Sequence, residues 1–170
     1  MKKIEDLMEM SRASSGSIRA ELTAVDPVET LRQALGEFSD KLEARELTVV
    51  FPEGEPVSNI FADGRLTWRV LSNLLSNVVK YAMTGTRVYV DVTELESRVM
   101  ISIKNISAQP LNLTEEELME RFVRGDAARN TEGSGLGLNI AKSLMELQKG
   151  QLQILVDGDL FKVTLIFPGV

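Results

Sequence analysis

Asn73, Asn77 and Lys80 are spaced to act together. They fall at i, i+4 and i+7 within Leu66–Tyr81, so in a helix they form one polar stripe. A carboxamide oxygen is a hard, neutral ligand of the kind Mg²⁺ takes among its waters. An ammonium one turn further on can hold phosphate. Asn is also a poor helix former that prefers caps and turns. Two of them one turn apart in a helix interior point to a task beyond folding. The plain alternative is a solvated helix face, and periodicity alone leaves it open.

A second constellation is Gly133-Ser134-Gly135-Leu136-Gly137, where the polar segment 123–134 meets a helix. Glycine lets a backbone approach a ligand closely, and a helix N-terminus presents free N–H groups to an anion. The same cluster also suits a simple loop hinge. A dinucleotide-binding turn needs an apolar strand just before it, and residues 123–132 are not one. No Gly-x-x-x-x-Gly-Lys-Ser/Thr phosphate loop occurs.

Composition removes several chemistries. With no histidine, a Ser-His-Asp triad, an imidazole base and His-ligated zinc are excluded within the chain. With no cysteine, so are disulfides, thiolate catalysis and Cys metal sites. A net charge of −6 argues against a nucleic-acid partner held by a general basic surface. An anionic ligand would need local cations, and Lys80, Arg121, Arg124 and Arg129 are the ones to watch. The N-terminus alternates charged and apolar groups, unlike a signal peptide, and no apolar run approaches the roughly 20 residues of a membrane span.

The elements that must position these groups can be read from periodicity. Leu71, Leu74, Leu75 and Val78 share a helical face with Asp63 as its cap. Asp26-Pro27 starts an earlier helix whose apolar positions Val28, Leu31, Leu35, Phe38 and Leu42 carry it to about Ala44. Ile4, Leu7 and Met8 suggest a helical stretch over residues 1–15. Short strands are expected at Leu47–Phe51 and Val57–Phe61, and a hairpin at Arg87–Val92 with Val99–Lys104. Residues 105–113 read as irregular, and Thr114 opens a short helix that ends near Phe122. A helix over Leu138–Leu147 follows, ended by Gly150, and a closing hairpin pairs 151–156 with 160–167. With 170 residues, these make one α+β domain: a mostly antiparallel, mixed sheet packed on about three helices in two layers.

Taken together, Asn73-Leu-Leu-Ser-Asn77-Val-Val-Lys80-Tyr81, then Leu118-Met-Glu-Arg-Phe122-Val-Arg124, then Gly133-Ser-Gly135-Leu-Gly137-Leu-Asn-Ile-Ala-Lys142 resemble the N, F and G2 boxes of the ATP-binding catalytic domain of sensor histidine kinases, members of the GHKL superfamily. The resemblance spans about residues 25–168. It implies residues 1–22 as the end of a dimerisation helix and a linker, and 23–170 as a Bergerat-type ATP-binding domain. It implies Asn77 as the Mg²⁺ ligand, Asn73 beside it in the polyphosphate site, Lys80 on phosphate and Tyr81 lining the nucleotide pocket. Arg124 matches the lid arginine near the γ-phosphate, and Phe122 an anchor of the lid. Gly133 to Gly137, with Ser134 and Leu136 between the glycines, would hold the triphosphate on backbone amides above Leu138. Asn73, Lys80 and Arg124 are then the groups that serve transfer. Phosphoryl transfer asks mainly for positioning and charge neutralisation, which such groups supply.

Two departures stand out. The phosphoacceptor histidine of the family is absent, so it is expected on a dimerisation domain outside this chain. The family's G1 box, Asp-x-Gly-x-Gly, aligns with Asn105-Ile-Ser-Ala-Gln109, which makes Asn105 the adenine contact and removes both hinge glycines. The expected partners are the dimerisation domain of the same kinase and a response regulator, in a cytoplasmic domain of a membrane-anchored homodimer, with no nucleic acid. One alternative is a degenerate nucleotide-binding or interaction module. Another is a gyrase- or chaperone-like ATPase or a serine kinase, in which Asn73 would be a glutamate.

Overall fold

The computed structural model of the chain describes residues 19–52, 54–111 and 136–170. The expected helices at 1–15 and 114–122 and the polar loop 123–134 lie outside the described residues.

Asp26 caps the first helix, α1 (Pro27–Glu37), through a side chain that accepts from the Val28 and Glu29 N–H groups. The single helix expected to run to Ala44 is broken. Phe38 leaves helical geometry at φ −99° and ψ 1°, and a short helix α2 (Ser39–Ala44) follows. Gly36 is a weak helix residue, and Ser39 Oγ donates to its carbonyl at 3.0 Å, the local competition by which serine disrupts helix interiors.

Three short strands precede the next long helix. β1 (Thr23–Val25), which the sequence reading passed over, pairs antiparallel with β3 (Ile60–Ala62). The other short strand, β2 (Thr48–Val50), lies parallel to β4 (Arg87–Leu95) at the edge of the main sheet. β4 forms the expected hairpin with β5 (Arg98–Ile106), and β6 (Gln151–Asp157) forms the closing one with β7 (Leu160–Pro168). The five-stranded order is β2-β4-β5-β7-β6, with only the β2–β4 pair parallel. This is the expected mixed, mostly antiparallel sheet.

Cross-strand register aligns Val90, Ile103 and Val163, and likewise Ile101 with Leu165 and Val99 with Phe167. These residues are buried and form the inner face of the sheet. Against it pack α1, α3 (Gly64–Tyr81) and α4 (Leu136–Leu147), through Leu31, Leu71, Leu75, Ile140 and Leu144, all fully buried. The opposite face is polar: Lys104 sits 5.2 Å from the Tyr89 ring, and Ser102 Oγ donates to Asp91 at 2.8 Å. Layers, sheet type and helix count follow the α+β sandwich of the Bergerat fold. No helix among the described residues is long and apolar enough to cross a membrane.

Candidate functional site

Helix α3 carries the polar stripe and is fixed at both ends. At its start, Asp63 Oδ1 accepts from Leu66 N–H at 3.1 Å, while Oδ2 accepts from Glu21 N–H at 2.9 Å. At its end, the chain from Tyr81 to Met83 is stitched to the end of β5. Met83 N–H donates to Ile106 O and Ala108 N–H to Tyr81 O, each at 2.8 Å, and Ala82 bridges Ser107. The last turn of α3, with Lys80 and Tyr81, is thereby set beside the strand end that holds Asn105.

Asn105 corrects the expectation of an irregular segment from 105 onward. It lies within β5, opposite Phe161 of β7, and is 3% exposed. Alternation puts it in line with Ile101 and Ile103 on the inner face. A buried amide at the end of that row of aliphatic side chains is where a polar edge of a ligand would be read.

The two asparagines of the stripe behave unusually. Asn77 is 8% exposed and Asn73 half-buried. The Nδ2 atom of each is buried without a hydrogen-bond partner among the described residues. A buried polar atom left unsatisfied costs roughly 1–3 kcal/mol, so two of them one turn apart ask for an explanation. A half-turn of a carboxamide exchanges its donor and acceptor ends, so each can offer nitrogen to an oxyanion or oxygen to a cation. Among the described residues no three carboxylates gather into a metal cage. Asn77 would offer a cation one neutral, hard oxygen, a donor that suits Mg²⁺, which takes few protein oxygens and keeps several waters. The residues present fit such a group.

Residues 62–169, more than half of the chain, match the sequence model of the histidine kinase-, DNA gyrase B- and HSP90-like ATPase family. The chain belongs to that family. Within this ATPase family it is a catalytic domain of the sensor histidine kinase type, and the relatives it matches are described as sensor proteins. It is 32% identical over 165 residues to the probable sensor protein PcoS of Escherichia coli, covering 95% of this chain and 35% of PcoS. It is 32% identical over 170 residues to the sensor protein CzcS of Cupriavidus metallidurans, covering 97% of this chain and 35% of CzcS. The chain thus spans about a third of the length of these relatives. Among solved structures it resembles the Acinetobacter baumannii histidine kinase AdeS, with a TM-score of 0.79 at 20% identity over 98% of this chain and 76% of the other. It also resembles full-length ShkA in complex with AMPPNP, with a TM-score of 0.80 at 22% identity over 98% of this chain and 35% of ShkA. Those two likenesses concern the fold.

Within the ATPase domain the structure brings Asn73, Asn77, Lys80 and Tyr81 together on α3 and bonds the Tyr81 carbonyl to Ala108 N–H, three residues past Asn105. Leu136 and Gly137 open α4, and Leu138 in its first turn is fully buried. Arg124, Gly133, Ser134 and Gly135, like Phe122, lie outside the described residues. Sequence reasoning missed Gln148 and Arg45. Gln148 is fully buried and joins α4 to the start of α3; its signal is a polar residue falling on the apolar period of Ala141 and Leu144. Arg45 leaves no such pattern, because it acts on backbone carbonyls.

Proposed function

We propose that this chain binds Mg²⁺–ATP and serves the transfer of the γ-phosphoryl group to a histidine on a dimerisation domain of the same kinase. The observation that carries the reading is the pair of buried Nδ2 atoms of Asn73 and Asn77, without hydrogen-bond partners among the described residues, on one face of α3, in a chain of an ATP-binding family. Asn77 holds Mg²⁺, which neutralises phosphate charge when bound, and Asn73 and Lys80 orient the polyphosphate. Arg124 meets the γ-phosphate, and Gly133, Ser134, Gly135, Leu136 and Gly137 cradle the chain of phosphates on backbone N–H groups. Tyr81, Asn105 and Leu138 line the base site. Residues 1–22 form the end of the dimerisation helix and the linker, and 23–170 the catalytic domain.

The AMPPNP complex of the similarly folded ShkA supports a nucleotide as ligand. ThkA, another structure of this fold, is in complex with the response regulator protein TrrA, which supports a response regulator as the partner downstream. In this reading the domain works at the cytoplasmic side of a membrane-anchored homodimer. Calorimetric titration with ATP and Mg²⁺, followed by phosphotransfer to a separately supplied dimerisation domain, tests both halves. Saturable binding with transfer is expected; no binding overturns the reading. Binding without transfer favours the second reading, a degenerate module, for which Asn105 in place of aspartate speaks.

A further inference from the structure

The last carbonyls of a helix have no partners inside it and must be satisfied from outside. In α3, Val78 O accepts the final helical bond from Ala82 N–H at 3.0 Å, and Tyr81 O is taken by Ala108 N–H at 2.8 Å. Of the others, Val79 O and Ala82 O are both bound by the guanidinium of Arg45, through Nη1 and through Nη2 at 2.8 Å respectively. Its Nε reaches Thr84 Oγ1 at 3.3 Å. Arg45 is itself held in place. It is half-buried at the end of α2, immediately before Glu46 in the left-handed region at φ 55°, and its carbonyl accepts from Gly85 N–H at 3.4 Å.

A guanidinium suits this role better than any other side chain. It is a planar, permanently charged fork that can reach two carbonyls at once, and it stands at the negative end of the helix dipole. The carbonyls it binds belong to the residues on either side of Lys80 and Tyr81. One turn earlier on the same rigid helix is Asn77.

We propose that Arg45 is a positioning residue of the nucleotide site: by fixing two carbonyls in the last turn of α3 it sets where Asn77 and Lys80 stand. The inference rests on the reading of those two residues as ligands of Mg²⁺ and phosphate. A displacement of about 1 Å in such groups is enough to weaken a phosphate site severely. Arg45 acts on the site through the main-chain carbonyls at the end of α3.

The test is calorimetric titration of this chain with Mg²⁺–ATP, well below its melting temperature, in wild type, Arg45→Met, Arg45→Lys and Val99→Ala. The last variant removes buried methyl groups from the inner face of the sheet, at the end of β5 away from Asn105, and loses stability without changing a residue of α3 or of the nucleotide site. Arg45→Met is expected to raise Kd about tenfold, and Arg45→Lys, which keeps the charge but not the fork, by less. Val99→Ala is expected to bind as wild type does. If Arg45→Met does not fold, Arg45→Gln takes its place with the same expectation. A folded Arg45→Met or Arg45→Gln protein with wild-type Kd overturns the proposal, as does an equal loss in Val99→Ala. Failure of the wild type itself to bind Mg²⁺–ATP overturns the nucleotide reading first, and this one with it.

Discussion

The backbone N–H of Asp63 donates to Oε1 of Gln148 at 2.9 Å, across 85 residues of chain. The same oxygen accepts from Thr67 Oγ1 at 2.9 Å, and Gln148 Nε2 donates to Leu144 O at 3.1 Å. One fully buried side chain thus pins the start of the helix that carries the site to the end of α4. Asp63 also holds the entering chain at Glu21, so three segments converge there. Such a network is stabilising only while every member is satisfied.

Gln148→Met keeps the volume and strands the Asp63 N–H, so chemical denaturation should show a loss of about 2 kcal/mol. Thr67→Val removes the second donor. In the double variant the Thr67 hydroxyl is no longer there to be stranded, so the two losses should sum to less than their separate values. Simple additivity would mean that Gln148 Oε1 does not join the two groups.

Asn77→Ala should abolish Mg²⁺-dependent nucleotide binding while leaving the protein without nucleotide as stable or more so. The substitution removes a buried amide nitrogen with no partner among the described residues and installs a better helix former, a gain of about 0.5 kcal/mol from propensity alone. Thermal melts with and without Mg²⁺–ATP measure both effects. A lower melting temperature without ligand would mean that the amide has a structural role, and wild-type affinity would remove Asn77 from the metal site.

Asn105→Asp should tighten ATP binding and weaken the protein without ligand. The residue is 3% exposed on the inner face of the sheet, where an unpaired carboxylate is costly. A bound adenine amino group would give that carboxylate a donor, and charge-assisted hydrogen bonds are roughly twice as strong as neutral ones. A gain of about 1 kcal/mol, several-fold in Kd, follows. Calorimetry showing unchanged or weaker binding would remove Asn105 from the adenine contact.

The architecture was readable where side chains repeat. Asp63 as cap, the buried face of α3 and the two long hairpins all follow from period and punctuation. So does the asparagine stripe, because amides are out of place in a helix interior. What the pattern did not carry was short or made by backbone. β1 has three residues, too few for alternation to register. The break at Phe38 depends on a serine hydroxyl reaching a carbonyl. Asn105 reads as a turn former, yet pairing with β7 keeps it in a strand. Arg45 and Gln148 bind main-chain groups, whose positions exist only once the elements have packed.

Acid should weaken the molecule partly through Glu94. Ser58 holds its carboxylate with a backbone N–H at 2.9 Å and its hydroxyl at 2.8 Å, and these bonds, the backbone one first, keep the carboxyl below its ordinary range. A group with a lowered folded value contributes its stability above the unfolded value and loses it as pH falls through the folded one. Glu94→Gln should therefore match wild type in strong acid and fall behind it as pH rises past about 4.3, the ordinary glutamate value. Denaturant midpoints between those limits that stay parallel for the two proteins would mean that the Ser58 bonds do not favour the ionised form.

The end of α4 offers a pair of opposite outcomes at adjacent positions. Gly150 was expected to end the helix, and the residue that takes the left-handed conformation there is Lys149, at φ 62°. Lys149 N–H donates to Glu146 O at 3.0 Å and Gly150 N–H to Met145 O at 2.9 Å, the two bonds of a Schellman end. A side chain in the left-handed region costs about 1 kcal/mol, so Lys149→Gly should stabilise by about that much. Glycine is needed one residue later for a different reason: a Cβ on Gly150 would lie 2.6 Å from the carbonyl oxygen of Ile166 in β7. Gly150→Ala must then push α4 away from the sheet, and a loss of about 2 kcal/mol is expected from the overpacking. Chemical denaturation of the two variants should move the midpoint in opposite directions. A shift of the same sign in both would mean that the conformation at Lys149 and the close approach at Gly150 are not separate constraints.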